Sequence, residues 1–407
     1  MKKNYLKILC LLFASLLFAP AASLAQNQPA LKMFETVKVG MVPPIPVALE
    51  GFSGEALEVL KFDLYVQGFC FVSPDAATYL IKSAGGAGVG GTVTDKTGHS
   101  TYFSKVYNGA TVRLQAHSFA DGIVGAIHNP AISGEVDQSY KPIGCTKIAY
   151  KSQATGFGAG EVFMADFDGH GAQSVTSDGA IVARPAWVPG RMALYYTSYA
   201  RSNPDIFYHS LSSGQRSVVA GYSGLNTSAA VSRDGSRVAM ILSKSGSPNV
   251  WVSDANGSNP RRITKGIEDS SPCWSPDSKW ICFATKSHDR RRLAKVPAEG
   301  GEVQNFNTVG VSNPTEPDWS PDGKWIAFTS QAGKYFNICV MPADGSAAPV
   351  VLVSGQNPSW APNSRTLVFN RGPDGQQKVA VLDAFTKQFR DCQRAGGGSS
   401  SEPAWAR

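Results

Sequence analysis

Pro317-Asp-Trp-Ser-Pro-Asp-Gly-Lys-Trp-Ile-Ala-Phe-Thr-Ser330 decides how the rest of the chain is read. A short strand ends at Trp319, a tight turn occupies Ser320 to Gly323, and a second strand starts at Lys324. Pro321 presets the backbone angle of the second turn position, and Asp322 and Gly323 suit the positions after it. Trp325-Ile-Ala-Phe-Thr329 is aromatic, branched and β-prone.

The string recurs. Pro272-Cys-Trp-Ser-Pro-Asp-Ser-Lys-Trp-Ile-Cys-Phe283 is nearly identical, and Pro358-Ser-Trp-Ala-Pro-Asn-Ser-Arg-Thr-Leu-Val-Phe369 and Pro185-Ala-Trp-Val-Pro-Gly-Arg-Met-Ala-Leu-Tyr-Tyr196 are looser copies. Ala229-Ala-Val-Ser-Arg-Asp-Gly-Ser-Arg-Val-Ala-Met240 lacks the Pro and the Trp but keeps the turn. The markers Trp187, Val231, Trp274, Trp319, Trp360 and Trp405 are spaced by 44, 43, 45, 41 and 45 residues. That period is one four-stranded propeller blade. The last marker strand, Glu402-Pro-Ala-Trp-Ala-Arg407, has no second strand after it. Thr146-Lys-Ile-Ala-Tyr-Lys-Ser152 is a second strand with no marker before it. Joining the two closes a ring of six blades and removes the open sheet edges of a linear array.

The fold class is therefore a small N-terminal α+β domain followed by an all-β six-bladed propeller closed by the C-terminal strand. The divisions are a signal peptide over 1–25, an N-terminal α/β domain over 26–140 with a flexible tail over 26–36, and the propeller over 145–407. Lys2, Lys3 and Lys7 precede the apolar run Ile8 to Phe18, and Ser23-Leu-Ala25 is a small-x-small cleavage site. Cys10 lacks the small residues of a lipid-attachment site before it. The run is short for a membrane anchor, so the mature protein is expected to be soluble and exported, cleaved near Ala25. The formal charge of +7 includes the three leader lysines and falls to +4 without them, with Arg290-Arg-Arg292 the one cluster. Nucleic-acid binding has little support.

In the N-terminal domain, strands are expected over Val37–Pro43, Phe69–Val72, Gly90–Asp95 and Tyr102–Gln115. Helices are expected over Gly54–Gln67, Asp75–Lys82 and Ser118–Ile127, the last capped by Ser118. In the propeller, strand parity puts the a–b and c–d turns of every blade on one side. The b–c loops (Ser243 to Pro248, Lys286 to Arg292, Gln331 to Tyr335) and the crossovers into each innermost strand lie on the other. The crossovers end in Asn226-Thr227-Ser228, Asp269-Ser270-Ser271, Thr315-Glu316, Asn357 and Glu402, which ring the channel mouth. Polar residues converging on one opening form a candidate binding surface; the alternative is that they only cap and turn.

Catalytic signatures are missing. Gly86-Ala-Gly88-Val-Gly-Gly91 matches a dinucleotide fingerprint, but Thr92-Val-Thr-Asp95 follows it where a helix is needed. Gly51-Phe-Ser-Gly-Glu55 and Gly221-Tyr-Ser-Gly-Leu225 are not nucleophile elbows. The six histidines lack ligand spacing, Asp277, Asp322 and Asp344 read as turn residues, and Asp318 is the lone acid of the marker strands. No catalytic residue, metal or cofactor is expected. Six cysteines follow the leader without a C-x-x-C pair, and spacing does not reveal their connectivity.

The Glu-Pro-x-Trp-Ser-Pro-Asp-Gly-Lys-Trp-Ile-Ala-Phe-Thr-Ser unit resembles the repeat of the TolB family, periplasmic propellers of the bacterial Tol-Pal system. The segments Val37–Pro43, Leu60-Lys-Phe-Asp-Leu-Tyr-Val-Gln-Gly-Phe69, Thr146–Tyr150 and Pro403-Ala-Trp405 extend the likeness over nearly the whole chain. The resemblance implies a non-enzymatic, monomeric scaffold located in the periplasm and peripheral to membranes. It implies docking of the peptidoglycan-associated lipoprotein Pal at the channel mouth, on residues such as Ser270, Ser271, Thr315 and Glu316. It implies contact of the tail, around Gln26 to Phe34, with the inner-membrane protein TolA. The blade marked by Val231 departs from the pattern, as does the Gly85–Gly91 run. Competing readings are a lactonase- or lyase-like propeller enzyme, marked by inward acids or histidines with a metal, and a carbohydrate- or peptidoglycan-binding propeller, marked by exposed Tyr199, Tyr222 and Tyr335.

Overall fold

A computed structural model describes residues 39–128, 141–153, 159–288, 290–393 and 398–407. The leader and tail readings over 1–36 and most of the Pro130–Gly144 boundary lie outside the described residues. The N-terminal sheet contains β1 (Ile45–Glu50), β2 (Phe69–Phe71), β3 (Tyr79–Ser83), β4 (Val89–Asp95) and β5 (Thr101–Tyr107). Their order is β2-β1-β3-β4-β5, with β1 parallel to β2 and β3 and the rest antiparallel. Helices α1 (Gly54–Tyr65) and α2 (Val112–Ile127) cover the sheet. Val59, Leu60 and Leu64 of α1 join Phe119, Ile123 and Val124 of α2 in a core with Phe69, Ile81 and Val93.

Four expectations for this domain need correction. The first strand is Ile45–Glu50 and not Val37–Pro43, because Val39 to Met41 turn and Pro43-Pro44 cannot donate to a ladder. Asp75–Lys82 holds no helix: Ala76 N donates to Ser73 O at 3.0 Å in a turn, and Tyr79 to Ser83 are strand β3, paired on both sides. The strand expected over Tyr102–Gln115 stops at Tyr107, where Asn108-Gly109 breaks it. The helix expected from Ser118 starts about two turns earlier. Thr111 is its cap, accepting from Leu114 N at 3.2 Å, and Ser118 Oγ donates back to Leu114 O inside the helix.

The end of the glycine run starts the interior strand β4. A Cβ on Gly90 would stand 2.2 Å from Lys105 O, and one on Gly91 would stand 1.9 Å from Lys82 O. These glycines let β3, β4 and β5 approach closely, and no helix follows them.

Six four-stranded sheets make the propeller. Blade one is closed across the ends of the chain. Ser399–Trp405 pairs antiparallel with Lys147–Gln153, from Ser399 opposite Gln153 to Trp405 opposite Ile148. Blades two to six have innermost strands Val182–Trp187, Asn226–Val231, Asp269–Trp274, Pro314–Trp319 and Gln356–Trp360. The repeated turn is held by its own side chains. Ser320 Oγ donates to Asp322 Oδ1 at 2.5 Å and accepts from Trp325 N at 2.9 Å, while Asp322 Oδ1 also accepts from Lys324 N at 3.0 Å. The Ser275–Trp280 turn repeats this arrangement.

Three of the marker tryptophans tie neighbouring blades together, while Trp319 Nε1 donates to Gly323 O in its own turn. Trp187 Nε1 donates to Ala404 O at 3.1 Å, Trp274 Nε1 to Ala230 O at 2.9 Å and Trp360 Nε1 to Asp318 O at 3.2 Å. Each acceptor belongs to the preceding blade's innermost strand. The N-terminal domain rests on the turn side of blades six and one. Gly40 N donates to Ala384 O, Gln388 Nε2 to Phe69 O, and Phe167 contacts Phe62, His117 and Trp405 with ring centroids 5.9, 5.4 and 5.8 Å away. The described residues of that domain make these contacts on the turn side and leave the loop-and-crossover side uncovered.

Candidate functional site

Each innermost strand breaks its register once, at the same place. In blade five Thr315 faces Thr329 and Asp318 faces Ala327, so Glu316 and Pro317 together stand opposite Phe328. Proline has no N–H for the ladder, and a bulge is where a strand accommodates it. The first bulge residue takes a positive φ in all six blades, ahead of proline in five and of Ala229 in blade three: Arg184 (54°), Ser228 (56°), Ser271 (50°), Glu316 (55°), Asn357 (54°) and Glu402 (53°). Left-handed backbone costs a non-glycine residue about 1–2 kcal/mol. Six such residues stand in one ring, each three positions before a marker, at the mouth of a central channel of about 220 Å³.

Side chains link this ring across the opening. Arg184 lies three blades from Glu316, directly opposite. Its Nη2 donates to Glu316 Oε1 at 2.9 Å and its Nη1 to Asn357 Oδ1 at 2.8 Å. Its backbone N–H donates to Glu402 Oε2 at 2.6 Å. Glu316 Oε2 accepts from Thr329 Oγ1 at 2.7 Å and from Asn357 N at 3.0 Å. Asn370 Oδ1 accepts from Asn357 Nδ2 at 3.0 Å and Glu402 N at 3.2 Å. Burial works against the Arg184 charge, but Glu316 and Glu402 outweigh it and hold the guanidinium above its ordinary pKa.

The structure sorts the residues read from the sequence. Ser228, Ser271, Glu316, Asn357 and Glu402 line the channel. Thr227, Ser270 and Thr315 are half-buried one position outside it, with Thr227 accepting from Thr197 Oγ1 at 3.1 Å and Ser270 from Arg291 Nη1 at 3.3 Å. Asn226 and Asp269 are buried and bonded to the preceding blade and to the crossover that leads from it. Asn226 Nδ2 donates to Tyr222 O at 2.7 Å and Pro204 O at 3.0 Å; Asp269 accepts from Asn249 Nδ2 at 3.0 Å and from Thr264 Oγ1. These two serve the crossovers and present nothing at the mouth. Arg184 was missed by sequence reasoning, although its place three residues before Trp187 marks it.

The far end of the channel is a second ion pair. Asp318 takes Arg407 Nη2 and Trp360 N, the latter at 2.7 Å, while Arg407 Nε donates to Trp360 O at 3.0 Å. Burial raises the Asp318 pKa even against Arg407. Asp318 thus joins blades five and six, and it is not alone: Asp269, Glu316 and Glu402 are further acids of the innermost strands. The turn aspartates bond to their own turns. Cys273 and Cys282 are buried cross-strand neighbours. Among the described residues, no three His, Cys, Asp or Glu side chains gather as a metal site, and no helix is long and apolar enough to cross a membrane.

A closed six-bladed propeller with a polar mouth and a small α+β domain on its turn side defines a class of protein. Residues 140–407 match the family model described as the TolB beta propeller domain, so the chain belongs to the TolB family. It is 36% identical over 116 residues to "Tol-Pal system protein TolB" of Methylobacillus flagellatus, covering 28% of this chain and 24% of that protein. It is 30% identical over 176 residues to the protein of the same name in Anaeromyxobacter dehalogenans, covering 41% and 36%. These matches span about a quarter to a third of the curated relatives' length. TolB from Acinetobacter baumannii has a similar fold, with a TM-score of 0.76, 19% identity, and coverage of 91% of this chain and 98% of that one.

Proposed function

We propose that this protein is a non-enzymatic, exported scaffold of the Tol-Pal cell-envelope system. The channel mouth docks the peptidoglycan-associated lipoprotein, and the tail over 26–36 engages TolA. The scaffold supports outer-membrane integrity and constriction during division from the periplasm, as a monomer. The observation that carries this reading is the ring of six left-handed residues, spanned by Arg184, on the side that the N-terminal domain leaves open. Strained backbone kept in all six blades is costly unless the opening is used, and the acids there are committed to Arg184 and to backbone donors. The domains 26–140 and 145–407 divide the two tasks between tail and ring.

Binding of the cognate Pal periplasmic domain tests the reading. The wild-type chain should bind at micromolar concentration or tighter, and Arg184→Ala should bind about ten-fold more weakly, because it frees Glu316 and Asn357 to move. No binding by a folded wild-type chain would sink it. A peptidoglycan-binding reading has one observation in its favour: Tyr199 and Tyr335 are 39% and 66% exposed on the mouth side. Retention on purified peptidoglycan without Pal would select that reading instead.

A further inference from the structure

Blades four and five turn a distinct sector to the mouth side. The crossover over 263–268 carries Ile267, 67% exposed, and the crossover over 306–313 carries Val309, 72% exposed. Tyr335, 66% exposed, opens the outer strand of the blade-five hairpin. Hydrogen bonds lay these crossovers against the hairpins: Lys286 N donates to Glu268 O at 2.9 Å, and Gln331 N to Ser312 O at 3.0 Å. The blade-four loop is a long hairpin, Trp280–Ser287 with Arg290–Pro297, whose tip presents Arg290 and Arg292. Lys265 lies in the crossover before it and Lys334 at the tip of the blade-five hairpin, and none of these four cations has an ion pair among the described residues. Glu268 is already taken by Lys286 at 3.6 Å and by Arg291. Asp289, at the hairpin tip, lies outside the described residues.

Single exposed aliphatic side chains are ordinary. Three of them on adjoining crossovers and hairpins, rimmed by four cations, have the composition of an interface: an apolar centre and a charged edge. We propose that this sector receives an acidic face of the folded protein that docks at the mouth. Apolar side chains of the partner cover Ile267, Val309 and Tyr335, and its carboxylates meet Lys265, Arg290, Arg292 and Lys334. The proposal rests on the docking reading and adds to it the sector and the sign of the partner's charge. A protein fits better than a membrane, because the sector sets exposed apolar side chains inside a rim of cations beside the docking mouth, the composition of a protein interface.

The test is titration with the cognate Pal periplasmic domain at about 50 and about 200 mM salt, where screening differs strongly. Arg290→Glu with Arg292→Glu is the test variant, and Lys324→Glu, exposed on the turn side, is the control. Unchanged melting temperatures establish that both variants fold. The expected result is affinity that falls with salt, a loss of about ten-fold or more in the double variant, mostly in association rate, and no loss in the control. Wild-type affinity retained by the double variant overturns the charge assignment alone. Absence of wild-type binding overturns the docking reading and this proposal together. Wild-type retention on anionic vesicles that the double variant loses, with Pal affinity unchanged, reassigns the sector to a lipid surface and overturns the protein partner.

Discussion

Arg184 stays charged at a half-buried mouth because carboxylates from two other blades meet it. Asp121 on α2 is in the opposite position. Burial, and then the neighbouring Asp63 carboxylate, push its pKa up to about 7, although Ile143 N and Gly144 N donate to it at 3.1 and 3.0 Å. Its folded pKa is above its unfolded value, so the folded chain holds this proton more tightly. The associated stability is full below about pH 4 and is lost as pH rises through about 7. Asp121→Asn keeps a carbonyl for both N–H groups and removes the buried charge. Its melting temperature should gain on the wild type between pH 5 and pH 8, with an upper bound on the order of 4 kcal/mol. Parallel melts with no widening gap would count against this placement.

The closing strand is the element on which the ring depends. Trp405 is 2% exposed, stacks on Phe167, and donates through Nε1 to Thr146 Oγ1 at 2.8 Å. Trp405→Ala should cost about 3–5 kcal/mol in denaturant unfolding, as for other buried large aromatics. Truncation of 403–407 should cost more, since it also opens the ladder opposite Ile148 and Ala149. A truncated chain melting like the intact one would mean that the ring closes some other way. The other elements differ in how readable they were. The S-P-D-G turns were legible because Ser, Asp and Gly act locally, within five residues. The start of α2 was not, because Thr111 and Ser118 are equally good caps in isolation. The sheet and Gln115, which bonds to Gly109 O and accepts from Val89 N, decide between them.

At the scale of the molecule, a buried charge cluster joins the N-terminal domain to the propeller. His117 of α2 stands 2.7 Å from Asp63 of α1 and 3.7 Å from Asp168 of blade one, and Arg113 also meets Asp168. All three of His117, Asp63 and Asp168 are at most 3% exposed. Removing one partner strands the others in a poor dielectric. His117→Ala should therefore lose about 3 kcal/mol or more. It should also split calorimetric unfolding into two transitions, one for the sheet domain and one for the ring. A single transition with unchanged midpoint would show that the cluster does not couple them.

The 41–45-residue period and the two half-blades at its ends already contained the ring, its blade count and its closure, because each blade is specified by short-range turn chemistry repeated six times. The order of the N-terminal sheet, the α2 boundary and the side chains that meet at the mouth were decided only in three dimensions. Arg184 and Glu316 are 132 residues apart, and Arg184 and Glu402 are 218. No local pattern pairs them; the closed ring does, by setting one residue of each innermost strand around a single opening.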